Sequence, residues 1–133
     1  MTVYLLDANV VIAQAIEEHE HHHRVSTWLA EVDRVALCPI VEGALVRFVV
    51  RVGGTVEAAG EILRRMHTDP RCDFWPDEVS YADADLSRVR GHRQVTDAYL
   101  VALAAAHHGG VVATMDAGLV RDRPDDVFLV PDV

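Results

Sequence analysis

The feature that most constrains this chain is a series of short, unbroken apolar runs separated by stretches with helical spacing. Val3-Tyr4-Leu5-Leu6 closes on Asp7, Val35-Ala36-Leu37 on Cys38-Pro39, Val111-Val112-Ala113 just before Asp116, and Val127-Phe128-Leu129-Val130 on Pro131. A strand with one wet face alternates apolar and polar residues, whereas an unbroken run belongs to a strand covered on both faces. Asp73-Phe74-Trp75, ahead of Pro76, reads as a weaker strand of the same kind. Between the runs the spacing predicts helices over Asn9 to Ile16, His22 to Val32 and Pro39 to about Val52, then over Val56 to Met66, Ser80 to Val89 and about Thr96 to His107. Val25, Trp28, Leu29 and Val32 fall on one face of the second helix. Thr55 is placed to cap the fourth, and Gly109-Gly110 to end the last. Strand–helix alternation over 133 residues, with no repeat and no linker, predicts one three-layer α/β domain with a mainly parallel sheet spanning residues 1–133.

Charge narrows the chemistry. Twelve basic residues, all arginine, stand against 21 acids, for a net charge of −9. With no lysine, Schiff-base catalysis, P-loop nucleotide hydrolysis and the lysine-dependent phosphoaspartyl enzymes and receivers are excluded. Cys38 and Cys72 lie far apart and outside any C-x-x-C pair, which fits reduced thiols rather than a disulfide scaffold. No basic segment precedes the first apolar run, and Ala98 to Ala106 reaches only about half the ~20 residues of a membrane span. The expectation is a soluble, cytoplasmic protein with no membrane partner. The helix near Thr96 has no charged face after Asp97, so it is read as a core helix; a contribution to a homodimer is the second reading.

Most of the acids sit in loops and on helix surfaces, but four do not. Asp7 and Asp116 follow the first and third of these apolar runs, and Glu42 and Asp97 fall in the first turns of helices. Ligands of open parallel sheets bind at the carboxyl ends of strands, so all four can point into one crevice. Singly, each has an ordinary role as a cap, a turn residue or a partner of a helix dipole. Together they repel, and a divalent cation relieves that repulsion. Oxygen-only ligands suit Mg²⁺, with Mn²⁺ as a substitute.

The segments Leu5-Leu6-Asp7-Ala8-Asn9-Val10, Val41-Glu42-Gly43-Ala44-Leu45-Val46-Arg47, Val95-Thr96-Asp97-Ala98-Tyr99-Leu100 and Thr114-Met115-Asp116-Ala117-Gly118-Leu119 resemble the four acidic motifs of PIN-domain nucleases. Their order, spacing and compact length look most like the VapC-type toxins of bacterial toxin–antitoxin pairs. The resemblance runs from Tyr4 to Leu119 and implies a PIN-like α/β/α fold with a five-stranded sheet. It also implies Mg²⁺-dependent cleavage of single-stranded RNA and inhibition by a VapB-type antitoxin. Carried over by position, Asp7, Glu42, Asp97 and Asp116 are the catalytic and metal-binding acids, and Asn9 and Thr114 are accessory residues that order a water or a carboxylate. From Val52 to Arg90 there is no motif.

A strongly acidic chain must attract RNA through local clusters and its metal site rather than through total charge. Arg88-Val89-Arg90-Gly91-His92-Arg93 immediately precedes the helix of Asp97, so Arg90 and Arg93 are candidate RNA contacts, with Arg47 on the Glu42 helix as a third. The run Glu18-His19-Glu20-His21-His22-His23 reads as solvated histidines, with transition-metal binding by His19 and His23 as the sharper alternative. The leading expectation is a metal-dependent endoribonuclease. The alternative is a catalytically silent PIN-like module whose acidic cleft docks a basic antitoxin segment.

Overall fold

The computed structural model describes all 133 residues. The strands are β1 (Val3–Leu6), β2 (Val35–Leu37), β3 (Cys72–Phe74), β4 (Gly110–Thr114) and β5 (Val127–Leu129). The helices are α1 (Ala8–Ala15), α2 (His22–Leu29), α3 (Pro39–Arg51), α4 (Val56–Thr68), α5 (Val95–Ala105) and α6 (Ala117–Asp122). All five strands pair in parallel, in the order β3-β2-β1-β4-β5. The chain therefore leaves β1 in one direction to build β2 and β3, then crosses back to add β4 and β5 on the other side. Right-handed crossovers put α1 to α4 on one face of such a sheet and α5 and α6 on the other, and the mutual packing of α1 with α2 and α3, and of α3 with α4, follows this division.

The core is the double-sided sheet interior that the unbroken apolar runs demand. Leu5, Leu37, Leu45, Leu100, Leu103 and Val112 are fully enclosed. At roughly 2 kcal/mol for each fully buried aliphatic side chain, this interior dominates the stability of the domain. The helix α5 is wrapped within its own domain, with Ala98, Tyr99, Leu100, Val101, Leu103 and Ala104 all buried. No helix is long and apolar enough to cross a membrane.

Backbone constraints mark the turn into β4. Gly109 has φ +76°, and a Cβ at Gly110 would lie 2.2 Å from the Ala104 carbonyl oxygen, so neither position accepts a side chain without backbone movement.

Two expectations change. No helix covers Ser80 to Val89; only a single 3₁₀ turn forms, at Tyr81–Asp83. Side chains compete for the backbone there: Ala82 N–H donates to Ser80 Oγ, and both the N–H and the hydroxyl of Ser87 donate to Asp85 Oδ1. Conversely, α6 forms at Ala117–Asp122, where the spacing predicts no helix. Its six residues are too few to display a period, but Asp116 caps it through the N–H groups of Gly118 and Leu119.

Candidate active site

The strand order reverses between β1 and β4, where helices leave to opposite faces, and Asp7 and Asp116 lie just past the carboxyl ends of these two strands. A crevice opens at such a point because the two connections diverge from it.

Asp7 is 8 % exposed and serves as the N-cap of α1, its Oδ1 accepting the Ala8 N–H at 2.7 Å. Its Oδ2 accepts the Thr114 hydroxyl at 2.7 Å. Thr114 is wholly buried, and its Oγ1 also accepts from Asn9 Nδ2 at 3.2 Å and from the Asp116 N–H at 3.1 Å. Asn9 closes the ring by accepting the Met115 N–H on its Oδ1 at 3.2 Å. One hydroxyl thus ties the ends of β1 and β4 together and fixes two of the four acids. Asn9 and Thr114 sit where they order carboxylates.

Asp97, in the first turn of α5, is half-buried and accepts no hydrogen bond from the protein. Its pKa is pushed up to about 6, first by burial and then by the charges of Asp7 and Asp116, with Arg123 opposing. The pKa of Asp7 is likewise raised: burial outweighs the hydrogen bonds from Thr114 and Ala8, and the Asp116 charge adds to it. Asp7, Asp97 and Asp116 therefore share one electrostatic neighbourhood.

Glu42 stands apart from this trio. It lies in the first turn of α3, and its Oε2 meets Nε2 of His67, in the last turn of α4, at 2.6 Å. It is not among the charges that shift Asp7 or Asp97. No three histidine, cysteine or carboxylate side chains are drawn closely enough together to share one ion.

The arginines divide. Arg90 reaches the site's edge, held by Asp122 at 2.7 Å, and lines a cavity with Asp97 and Asp116. Arg93 is exposed in a 3₁₀ turn before α5. Arg47 instead lines an apolar groove between α1 and α3, with Ile12 and Phe48. In the histidine-rich segment, His22 Nδ1 bonds the Ala13 carbonyl and His19 Nδ1 accepts the His21 N–H. These rings serve the local turn.

Residues 4–122 match the PIN domain family. The chain is 46 % identical over 132 residues to Ribonuclease VapC29 of Mycobacterium tuberculosis, covering 98 % of both. The chain belongs to the PIN-domain family, among the VapC ribonucleases. Solved structures agree on the fold. Mycobacterium tuberculosis VapC20, described as a Sarcin-Ricin loop cleaving toxin, superposes with a TM-score of 0.71 at 13 % identity, over 92 % of this chain and 95 % of its own. VapBC2 from Rickettsia felis, bound to a DNA fragment from their promoter, gives 0.66 at 15 % identity, over 98 % and 100 %. In this PIN domain, then, the all-parallel five-stranded sheet matches the family expectation, and the acids that carry the family's motifs gather at the sheet's switch point, except Glu42. His67 was missed in sequence. A histidine in a last helical turn reads as a cation at the helix's negative end, and nothing local announces a partner 25 residues away.

Proposed function

We propose that this PIN domain is a Mg²⁺-dependent endoribonuclease, the toxin of a type II toxin–antitoxin pair, cutting single-stranded RNA by hydrolysis. The observation that carries the proposal is that Asp7 and Asp116, at the carboxyl ends of β1 and β4, lie near enough to Asp97 at the start of α5 for their charges, after burial, to raise its pKa. The donor set fits a hard divalent cation: it is all oxygen, it is partly buried, and Asp97 has no protein donor to compensate its charge. Asp7, Asp97 and Asp116 would hold the ion, with Mn²⁺ as a substitute for Mg²⁺, which keeps several waters and so does not require a closed cage of side chains. Bound there, a divalent cation neutralises charge developing on a phosphodiester and acidifies water.

The protein's own residues prepare the rest. Thr114 and Asn9 hold Asp7 in one orientation before substrate arrives, which removes a reorganisation step from the reaction. Asp97, free of donors, is the carboxylate able to orient a water by accepting its hydrogen. Glu42 joins the acids only on leaving His67. In this reading Arg90, on the cavity wall with Asp97, and Arg93, exposed just before α5, contact phosphate, whereas Arg47 lies on a different groove. The similarity to VapC29, named a ribonuclease, supports the substrate class, and the likeness to VapBC2 supports a VapB-type antitoxin as partner.

The test is incubation of the purified chain with single-stranded RNA and Mg²⁺. Products bearing 5′-phosphate and 3′-hydroxyl ends are expected, lost with EDTA and in Asp7→Asn. Cleavage that survives EDTA, or full activity in Asp7→Asn, overturns the reading.

A further inference from the structure

Beside the three acids, between the start of α5 and α6, lies a cavity of about 260 Å³ whose ten lining residues include only one apolar side chain, Leu119. It collects Arg88, Arg90, Arg121 and Arg123, four of the chain's twelve basic residues, against Asp97, Asp116 and Asp122. In a chain of net charge −9, arginines are surrounded by acids to pair with, so such a concentration requires an explanation.

Their pairing is incomplete. Arg90 is engaged by the Asp122 carboxylate, and Arg88 donates to the Asp122 main-chain carbonyl. Arg123 is only 5 % exposed, yet no carboxylate lies within ion-pair distance, and its single hydrogen bond runs from Nη2 to the Asp85 carbonyl at 3.0 Å. A guanidinium carries five N–H donors, and the charges of Asp97 and Asp85 act on Arg123 only from beyond ion-pair distance, so most of its donors are left for a ligand. Arg121 makes no hydrogen bond or ion pair and is exposed at the rim. Two guanidiniums with unused donors, Arg121 and Arg123, on one small polar cavity offer the fork with which arginine binds phosphate oxygens.

We propose that this cavity is an anion subsite seating a backbone phosphate of the RNA strand adjacent to the one being cut, with Arg121 and Arg123 as its principal donors and Arg90 exchanging Asp122 for the phosphate. The inference rests on the ribonuclease reading. A polymer is favoured over a single anion because the cavity shares two walls, Asp97 and Asp116, with the acid cluster, so two phosphates in succession meet first one site and then the other. The subsite also explains how an acidic protein attracts RNA: the arginines focus a local positive potential where the strand must lie.

The experiment measures anisotropy of a fluorescein-labelled single-stranded oligoribonucleotide on the full chain carrying Asp7→Asn, across a salt series. Adding Arg121→Ala or Arg90→Ala is expected to weaken binding about tenfold and to flatten the log–log salt dependence by roughly 0.7, the loss of one phosphate contact. Arg64→Ala, on α4 and paired with Glu61, is expected to change neither. Arg123→Met follows the same expectation where it folds, and Arg121, being exposed, carries the test where it does not. Unchanged affinity and slope in Arg121→Ala overturn the subsite while leaving Mg²⁺-dependent cleavage by the unaltered chain intact. Failure of that cleavage is a separate result, because the salt slope is read without turnover. Competition by hexaglutamate equal to that of an unlabelled hexanucleotide assigns the arginines to an acidic protein segment and also overturns the proposal.

Discussion

Thr114 donates a 2.7 Å hydrogen bond to Asp7 across 107 residues of sequence, and that single contact locks the ends of two neighbouring strands and aims the most buried acid of the site. The same hydroxyl accepts from Asn9 and from the Asp116 backbone, so it serves three groups at once.

Replacing Thr114 by valine preserves the branched shape and removes all three hydrogen bonds. A buried carboxylate deprived of a donor destabilises the fold by about 1–3 kcal/mol, and Thr114→Ser, which keeps the hydroxyl, loses less. Urea denaturation at pH 7 reads the difference; equal midpoints for the wild-type and valine forms would remove Thr114 from its central position.

Asp97 carries a pH signature. Its folded pKa, about 6, exceeds the ordinary 3.8, so the folded chain holds a proton that the unfolded chain has released between those values. Stability therefore falls as pH rises through this window, and the whole deficit is present above about pH 6. Asp97→Asn in metal-free buffer is expected to stabilise the protein by about 1 kcal/mol at pH 7, after allowance for screening at a half-buried site, and by nothing below pH 3.8. A stabilisation that persists unchanged at pH 3.5 would show that the carboxylate's charge is not its source.

Mg²⁺ is expected to raise the melting temperature in EDTA-treated protein. Saturation at a hundred times the dissociation constant corresponds to about 2.7 kcal/mol, provided the unfolded chain does not bind. The gain should vanish in Asp7→Asn. Identical shifts in both proteins would place the ion elsewhere.

His67→Ala frees Glu42. The pair is partly exposed, so overall stability should change by less than about 1 kcal/mol. The Mg²⁺ concentration at half-maximal thermal shift should decrease, because Glu42 no longer has to leave a partner to approach the ion, and adding Glu42→Gln should reverse the decrease. An unmoved midpoint would mean that Glu42 takes no part in holding the cation.

Not every residue at the site was equally legible. Asp7 and Asp116 stand out because each follows an apolar run, and strand ends of parallel sheets are where ligands bind. Arg121 and Arg123 gave no such signal. Arg121 lies in, and Arg123 directly follows, a helix of six residues that contains a glycine and is too short for its periodicity to show. The Ser80 to Val89 segment misled in the opposite sense, since its apolar spacing is helical but its serines and aspartates satisfy backbone groups locally instead.

By itself the sequence determined the architecture: unbroken apolar runs must be buried on both faces, and strands so buried need helices between them and a parallel sheet. It also determined which acids fall at strand ends and helix starts. Only the tertiary structure decided the company those acids keep. Spacing along a chain states which element carries a side chain, but whether Glu42 meets Asp7 or His67, and whether Arg123 meets a carboxylate or an open cavity, depends on how separate elements pack. That packing is governed by the non-directional burial of apolar surface, which sets where helices lie and leaves their polar groups to find whatever partners come within reach.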